Sequence, residues 1–280
     1  PKADVLNAIV TDLTEAEAAL PVGTVRNGRF NKFMATALLA RVNLYQKNWS
    51  TAEAKATALI SNTTNFSLLT DLTKVFLRGS KEAIWQINTA DNNYTNWAGF
   101  NVPTATTSST KSLNMVRPEL YNAFEIGDKR KTNWLGNTTI AGTFFYYDYK
   151  YRQLTAPTST ANIEDYMLLR LAEQYLIRAE ARAQQENLTG AIDDLNAIRT
   201  RAGITPLLYG LSKSDVLLAV EKERKLELFG EGYGHRWIDL ARTGRIDAVL
   251  GAEKPTTWKS SAAWLPVPQN ELTNNPALNP

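Results

Sequence analysis

Two helical hairpins of matching spacing, 139 residues apart, constrain this chain more than any other feature. In the first, Phe30 to Lys47 carries Phe33, Ala37, Ala40 and Leu44 on one face, and Asn48, Trp49 and Ser50 lead into a second helix running to Ile60. In the other, Ile163 to Glu186 carries Met167, Leu168, Leu171, Tyr175, Ile177 and Ala181. Asn187-Leu188-Thr189-Gly190 then forms the turn, and Ala191 to Ala202 returns, ending at Gly203. Apolar residues at three- and four-residue steps predict amphipathic helices. Overlaid, Leu38, Ala40, Val42, Asn48 and Ala52 fall on Ile177, Ala179, Ala181, Asn187 and Ala191. Small residues coincide where helices would approach closely, as in tetratricopeptide-type units. The units are not in tandem, so the sequence predicts a mainly α fold on a tetratricopeptide-like helical-hairpin scaffold, and not a regular solenoid.

Other segments fit around this frame. Val5, Ile9, Leu13, Ala16 and Leu20 predict a helix over Asp4 to Leu20, stopped by Pro21 and Gly23. Ser50 with Glu53 has capping-box spacing. Ser212 to Phe229 and His235 to Thr243 form a third helical block, capped by Ser212 or Ser214 and broken by Gly230, Gly232 and Gly234. Residues 81–160 differ in composition. They hold a strand at Ala83 to Ile87, an Asn- and Thr-rich stretch, and the alternation Phe145, Tyr147, Tyr149, Tyr151 that suits another strand. The expectation is one domain over 1–280: helical scaffold at 1–80 and 161–250, a loop-rich insert with a few short strands at 81–160, and an extended Pro-rich tail at 251–280.

Composition removes most enzyme templates. With no cysteine and a single histidine, His235, thiolate metal sites, cysteine nucleophiles and sites needing two imidazoles are excluded. A net charge of +3 over 280 residues is no nucleic-acid footprint, and no apolar run reaches the roughly 18 to 20 residues that span a bilayer. Glu221, Glu223, Glu227 and Glu231 lie among Lys222, Arg224 and Lys225, which reads as an ion-pair network before an acid/base pair. Gly230-x-Gly232-x-Gly234 follows a helix and lacks the strand context of a phosphate-binding loop, so it reads as a turn. Asp91-Asn92-Asn93 lacks the spaced carboxylates of a calcium loop. No catalytic residue, metal or cofactor is indicated.

Aromatics interleaved with amides do stand out. Asn92, Asn93, Tyr94, Asn96, Trp97, Phe100 and Asn101 share one loop, and Trp134 and Tyr146 to Tyr151 follow. A sugar ring offers an apolar C–H face that lies on an aromatic ring, and hydroxyls that need donors and acceptors together. Tyr94, Asn96, Trp97 and Trp134 are therefore the candidate ligand-binding residues. Any of these rings could instead be core. The polar neighbours of Tyr94 to Phe100 argue that this loop is exposed.

The order of several motifs resembles SusD/RagB proteins, glycan-binding outer-membrane lipoproteins of Bacteroidetes nutrient uptake. They are Leu169 to Ala181 (LRLAEQYLIRAEA), Leu195-Asn196-x-Ile198-Arg199-x-Arg201-Ala202-Gly203, Glu223-Arg224, Glu227-Leu228, Glu231-Gly232 and His235-Arg236-Trp237-x-Asp239-Leu240-x-Arg242. Trp264-Leu265-Pro266-Val267-Pro268 with Glu271, and Glu119 to Arg130, extend the match. The resemblance implies non-catalytic capture of an oligosaccharide or polysaccharide on a loop-rich face and delivery to a SusC-like TonB-dependent transporter. It also implies an outer-membrane, extracellular location through an N-terminal lipid anchor in a part these 280 residues do not contain. RagB-type relatives suggest the alternative of a peptide-binding or protein-interaction scaffold, and a carbohydrate hydrolase ranks below both. The shared charged residues, among them Arg170, Glu173, Arg178, Glu180, Arg199, Arg201, Glu223, Arg224, Glu227, Arg236 and Asp239, read as frame.

Overall fold

Local capping sets where the scaffold helices begin. The side chain of Asn31 accepts from the N–H groups of Phe33 and Met34 and starts α2 (Lys32–Tyr45). That of Ser212 accepts from Asp215 and starts α8 (Lys213–Glu227). The computed structural model describes residues 2–22, 28–89, 102, 115–140, 142–155, 159, 162–232, 234–263 and 267–278. In chain order the remaining elements of the first unit are α1 (Lys2–Ala19), α3 (Trp49–Ile60), β1 (Ala83–Ile87), β2 (Met115–Val116), α4 (Pro118–Tyr121), α5 (Lys129–Trp134), β3 (Leu135–Ile140), β4 (Thr143–Asp148), β5 (Tyr166–Arg170), α6 (Leu171–Gln184) and α7 (Leu188–Ala202).

The predicted repeat is present in backbone detail. α2 and α6 start 139 residues apart, as do α3 and α7. The turns match as well: Lys47 (φ 64°) and Glu186 (φ 66°) are the non-glycine residues of positive φ among the described residues. Each precedes an N-cap asparagine, and the Asn48 N–H reaches the Asn43 carbonyl (2.8 Å) as that of Asn187 reaches the Arg182 carbonyl (2.9 Å). Ala40, Leu44, Ala52, Ala56, Ile177 and Ala181 form one buried cluster, so alanines mark where α2, α3 and α6 meet. Ala179, Ala183, Ala191, Ile192, Leu195, Val216 and Val220 join α6 to α7 and α8. α7 ends at Gly203 (φ 76°), where Ile204 donates back to the Arg199 carbonyl (3.1 Å).

Several expectations are corrected. Val5 and Ile9 of α1 are exposed (60% and 36%); the side turned to α2 carries Leu6, Val10, Leu13 and Glu17. Glu17 accepts from the Thr36 hydroxyl (2.7 Å) and pairs with Lys55, so polar contacts place this helix. The capping box at Ser50 and Glu53 does not form. α3 starts two residues earlier, at Trp49 behind Asn48, and Glu53 pairs with Arg182 (2.8 Å). The helix expected from Ile163 starts at Leu171, because Tyr166 to Arg170 form β5, antiparallel to β1. A short apolar run serves either structure, and pairing with β1 decides for strand. Likewise β4 stops at Asp148, and Tyr151 is a core residue whose hydroxyl accepts from the Met167 N–H (2.9 Å).

The contacts divide the chain into Pro1–Tyr233 and Gly234–Pro280. The division falls in the glycine run, where Gly230 and Gly234 take left-handed backbone (φ 68° and 64°), and not at the expected start of the tail. The second unit holds α9 (His235–Arg242), α10 (Ile246–Glu253) and α11 (Gln269–Asn274); Leu240, Ile246 and Leu250 form its core, with Trp237, Val249 and Trp258 packed against them. Its tail is thus not extended: Pro268 stands at the N-cap, where its fixed φ of −54° suits a helix start. Replacing Lys47 by glycine relieves left-handed strain at an exposed turn. Lys47→Gly is expected to raise unfolding stability by up to about 1 kcal/mol in urea titration, whereas Lys47→Val lowers it.

Candidate functional site

The loop nominated from sequence is held at its root by an ionic clasp. Arg78 donates from Nε and Nη2 to the buried Asp165 carboxylate (2.9 and 3.0 Å). Asp165 also accepts from the Thr89 N–H (2.8 Å), the Thr89 hydroxyl donates to the Glu164 carbonyl (2.9 Å), and Arg78 caps the Thr89 carbonyl. Thr89 is thus tied through both backbone groups and its side chain at the point where the chain leaves β1. Tyr94, Asn96, Trp97 and the Asp91-Asn92-Asn93 stretch lie outside the described residues. Trp134 is placed, and it is core. It has no exposed surface, donates from its indole to the Leu72 carbonyl (3.1 Å), and packs on Phe76 and Phe229. A ring so enclosed has no face left for a ligand, so Trp134 is withdrawn from the candidates.

Behind Trp134 lies the charge cluster of the shared motifs. The Glu227 carboxylate, wholly buried, is bonded by Arg170 Nη1 (2.6 Å), by Arg201 Nη2 and by Arg130 Nη1 (3.3 Å). Arg201 continues to Glu82 (2.6 Å), Arg170 to Glu231 (2.8 Å), and Arg130 to Glu223 (2.8 Å) and Asp128 (2.8 Å). Arg199 bridges Glu223 (2.8 Å) and Glu125 (2.9 Å). Burial alone would push Glu227 up, but Arg201, Arg170 and Arg130 outweigh it and hold the carboxyl well below the usual range. Hydrogen bonds from Arg199 bring Glu125 down to about 2. Lys150, buried, donates to the carbonyls of Glu227 (2.8 Å) and Phe229 (2.7 Å) and to Glu231 (2.7 Å), with its ammonium 4.1 Å from the Phe229 ring centroid and 4.7 Å from that of Trp134. The sequence-level network is therefore real for Arg170, Arg199, Arg201, Glu223 and Glu227. Glu82, Asp128, Arg130 and Lys150 were missed, because they come from the insert or its border and share no helical spacing with their partners.

A third feature sits on the β2–β4–β3 sheet. Val116 and Asn137 pair with Tyr146, Thr139 pairs with Phe144, and Met115 and Gly136 pair with Tyr147. Side chains alternate along a strand, so Val116, Tyr146, Phe144, Asn137 and Thr139 share one face and Met115, Tyr147, Phe145, Gly136 and Thr138 the other. On the second face the Tyr147 ring lies across Gly136, where an added Cβ would come within 2.3 Å of it. On the first face Tyr121 stacks on Tyr146 (3.9 Å, 17°), with a 2.8 Å bond between their hydroxyls. Lys131 lies 3.6 Å from the Tyr121 ring centroid. Phe144 meets Tyr146 edge-on (4.9 Å) and is 54% exposed. The bond from Tyr146, then the charge of Lys131, lower the Tyr121 phenol.

Residues 135–280 match the model of the SusD family. The chain belongs to that family. SusD-like protein P38 of Formosa agariphila is 26% identical over 339 aligned positions, covering 98% of this chain and 64% of the relative. Among solved structures, a SusD-like carbohydrate-binding protein from Bacteroides vulgatus superposes with a TM-score of 0.70 at 27% identity, over 86% of this chain and 51% of that one. A laminarin-binding SusD-like protein gives 0.74 at 25% identity, over 98% and 68%. This SusD family chain spans less than two thirds of the length of the curated relatives it matches. Among its described residues no helix is long and apolar enough to cross a membrane.

Two outcomes follow from the charge cluster. Glu227→Gln leaves three buried guanidinium groups short of a counter-charge and should cost about 3 kcal/mol of unfolding free energy, read by urea titration. Asp148, buried beside Lys150 and Glu231, is pushed up to about 6 by burial. A carboxyl with a raised folded pKa takes up its proton more readily when folded, so the stability it adds is full below about pH 4 and gone above about pH 6. Asp148→Asn should therefore gain Tm relative to the native chain as pH rises from 5 to 7.5; an unchanged difference would show that Asp148 does not titrate in that window.

Proposed function

We propose that this chain is a non-catalytic surface glycan binder, which captures an oligosaccharide or polysaccharide for a SusC-like TonB-dependent transporter. What carries the reading is membership of the SusD family together with similarity to relatives described as carbohydrate-binding and laminarin-binding. Tyr94 and Trp97 are the ring platforms in this reading and Asn96 the hydrogen-bonding amide. The chain that leads to them leaves β1 at Thr89, which Asp165 and Arg78 hold.

Absence of catalysis fits the state of the carboxylates. Glu223 and Glu227 are buried and Glu231 half-buried, each in ion pairs with arginine or lysine, and Glu227 is held ionised, so these side chains are committed to the frame and not to a glycosidic bond. A lipid anchor outside these residues would hold the protein at the outer-membrane surface. Ring stacking with a few amide bonds gives micromolar to millimolar affinity, roughly 4 to 8 kcal/mol, which suits capture followed by release to a transporter.

A glycan array probed with the protein, followed by calorimetry on the best ligand, tests this. Trp97→Ala and Tyr94→Ala are each expected to weaken binding at least tenfold while Tm stays unchanged. Binding to an oligopeptide pool with no glycan retained would replace the sugar reading by the peptide one.

A further inference from the structure

We propose that the open end of the β2–β4–β3 sheet, at Phe144, Thr139 and Asn137, is a second glycan contact, separate from the Tyr94–Trp97 loop, which takes one sugar ring of a neutral oligosaccharide on Phe144. The inference rests on the glycan-binding reading and extends it to residues that neither the shared motifs nor the candidate loop contain.

The register supplies the argument. Phe144 and Tyr146 stand two residues apart on β4, about 6.8 Å along an antiparallel strand, and directly across from them on β3 are Thr139 and Asn137. An aromatic row thus runs beside a row of one hydroxyl and one amide, both exposed. Phe144 touches Tyr146 only edge-on, and over half of its surface is open. Tyr146 cannot turn away to cover it, because Tyr121 stacks on it and the two hydroxyls are bonded. The Tyr146 ring beside Phe144 is therefore fixed before any ligand arrives, and ordering that side of the platform costs little on binding.

Charge complementarity selects the occupant. Leu135 and Asp148, paired with each other, continue this face into the buried interior; its remaining side chains Val116, Tyr146, Phe144, Asn137 and Thr139 are uncharged, and the nearby cation Lys131 lies over the Tyr121 ring. A charged ligand would meet no charged side chain on the open strand positions themselves, Lys131 being engaged on the Tyr121 ring. A neutral sugar meets an aromatic face for its C–H groups, and in Asn137 and Thr139 both donors and acceptors for its hydroxyls.

The test is affinity electrophoresis of the full chain in gels containing laminarin, glycogen or xylan, with calorimetry on whichever retards it. Phe144→Ala is expected to bind about tenfold more weakly and Asn137→Ala severalfold more weakly. Phe144→Tyr should restore near-native affinity, and all three should keep the native Tm, since both positions are exposed. If Phe144→Ala and Asn137→Ala bind like the native chain while Trp97→Ala loses binding, the second contact is wrong and the proposed function stands. A loss in Phe144→Ala that Phe144→Tyr fails to restore also counts against it. If no gel retards the native chain and calorimetry shows no heat with any of the three, both readings fall.

Discussion

A carboxylate wholly removed from water and shared by three guanidinium groups is the interaction on which the rest of the first unit depends. Glu227 would be costly to bury alone, and each of Arg130, Arg170 and Arg201 would be too. The cluster is tolerable only when all four arrive in register. Arg170 comes from the end of β5, Arg130 from α5, Arg201 from α7 and Glu227 from α8. Hydrophobic burial pulls these elements together without direction. The fork geometry of arginine on carboxylate then fixes which arrangement of them is acceptable.

Aromatic rings complete what the charges begin. Trp134, Phe229 and Phe76 surround the Lys150 ammonium, whose burial lowers its pKa, and offer it the negative faces of their rings where water would otherwise be. A tryptophan in a loop-rich insert and a tryptophan sealing a buried lysine are indistinguishable by composition. Trp134 is the second kind, and its partner lies sixteen residues further along the chain, beyond any helical or strand periodicity.

The frame was legible where periodicity and small residues carry the information. Ala40, Ala52 and Ala181 mark the hairpin contacts, and the offset between hairpins reproduces even the left-handed turn at Lys47 and Glu186. Those turns hold residues of opposite charge with the same backbone, so the asparagine that follows and the helix ends around it set the conformation. Legibility failed at short apolar runs. Tyr166 to Arg170 looks like the first turn of a helix until its pairing with β1 is known. In α1 the expected apolar face holds at Leu13, Ala16 and Leu20 but shifts by one residue in the first turns, from Val5 and Ile9 to Leu6 and Val10, and the contact with α2 and α3 also runs through Glu17, a residue no hydrophobic pattern reports. For the site, the shared motifs disclose the family but consist largely of ion-paired frame residues, such as Arg170 and Glu227 in the charge cluster and Arg178 with Asp194 outside it, so they nominate no ligand contact. The Tyr121–Tyr146 stack joins residues 121 and 146 from different elements, and only the fold brings them together.

The charge cluster also bears on the order in which the first unit can assemble. Its pairs are far apart in sequence: 57 residues separate Arg170 from Glu227, 93 separate Arg130 from Glu223, and 119 separate Arg201 from Glu82. Until the insert has docked on both hairpins, each of these side chains must stay hydrated, because desolvation without a partner is uphill. The hairpins rest on local contacts, whereas the centre of the unit depends on long-range pairs that are favourable only together. A chain caught before that docking keeps its acids and bases facing solvent. The cost of stripping water from those charges one at a time then opposes a collapse in the wrong register.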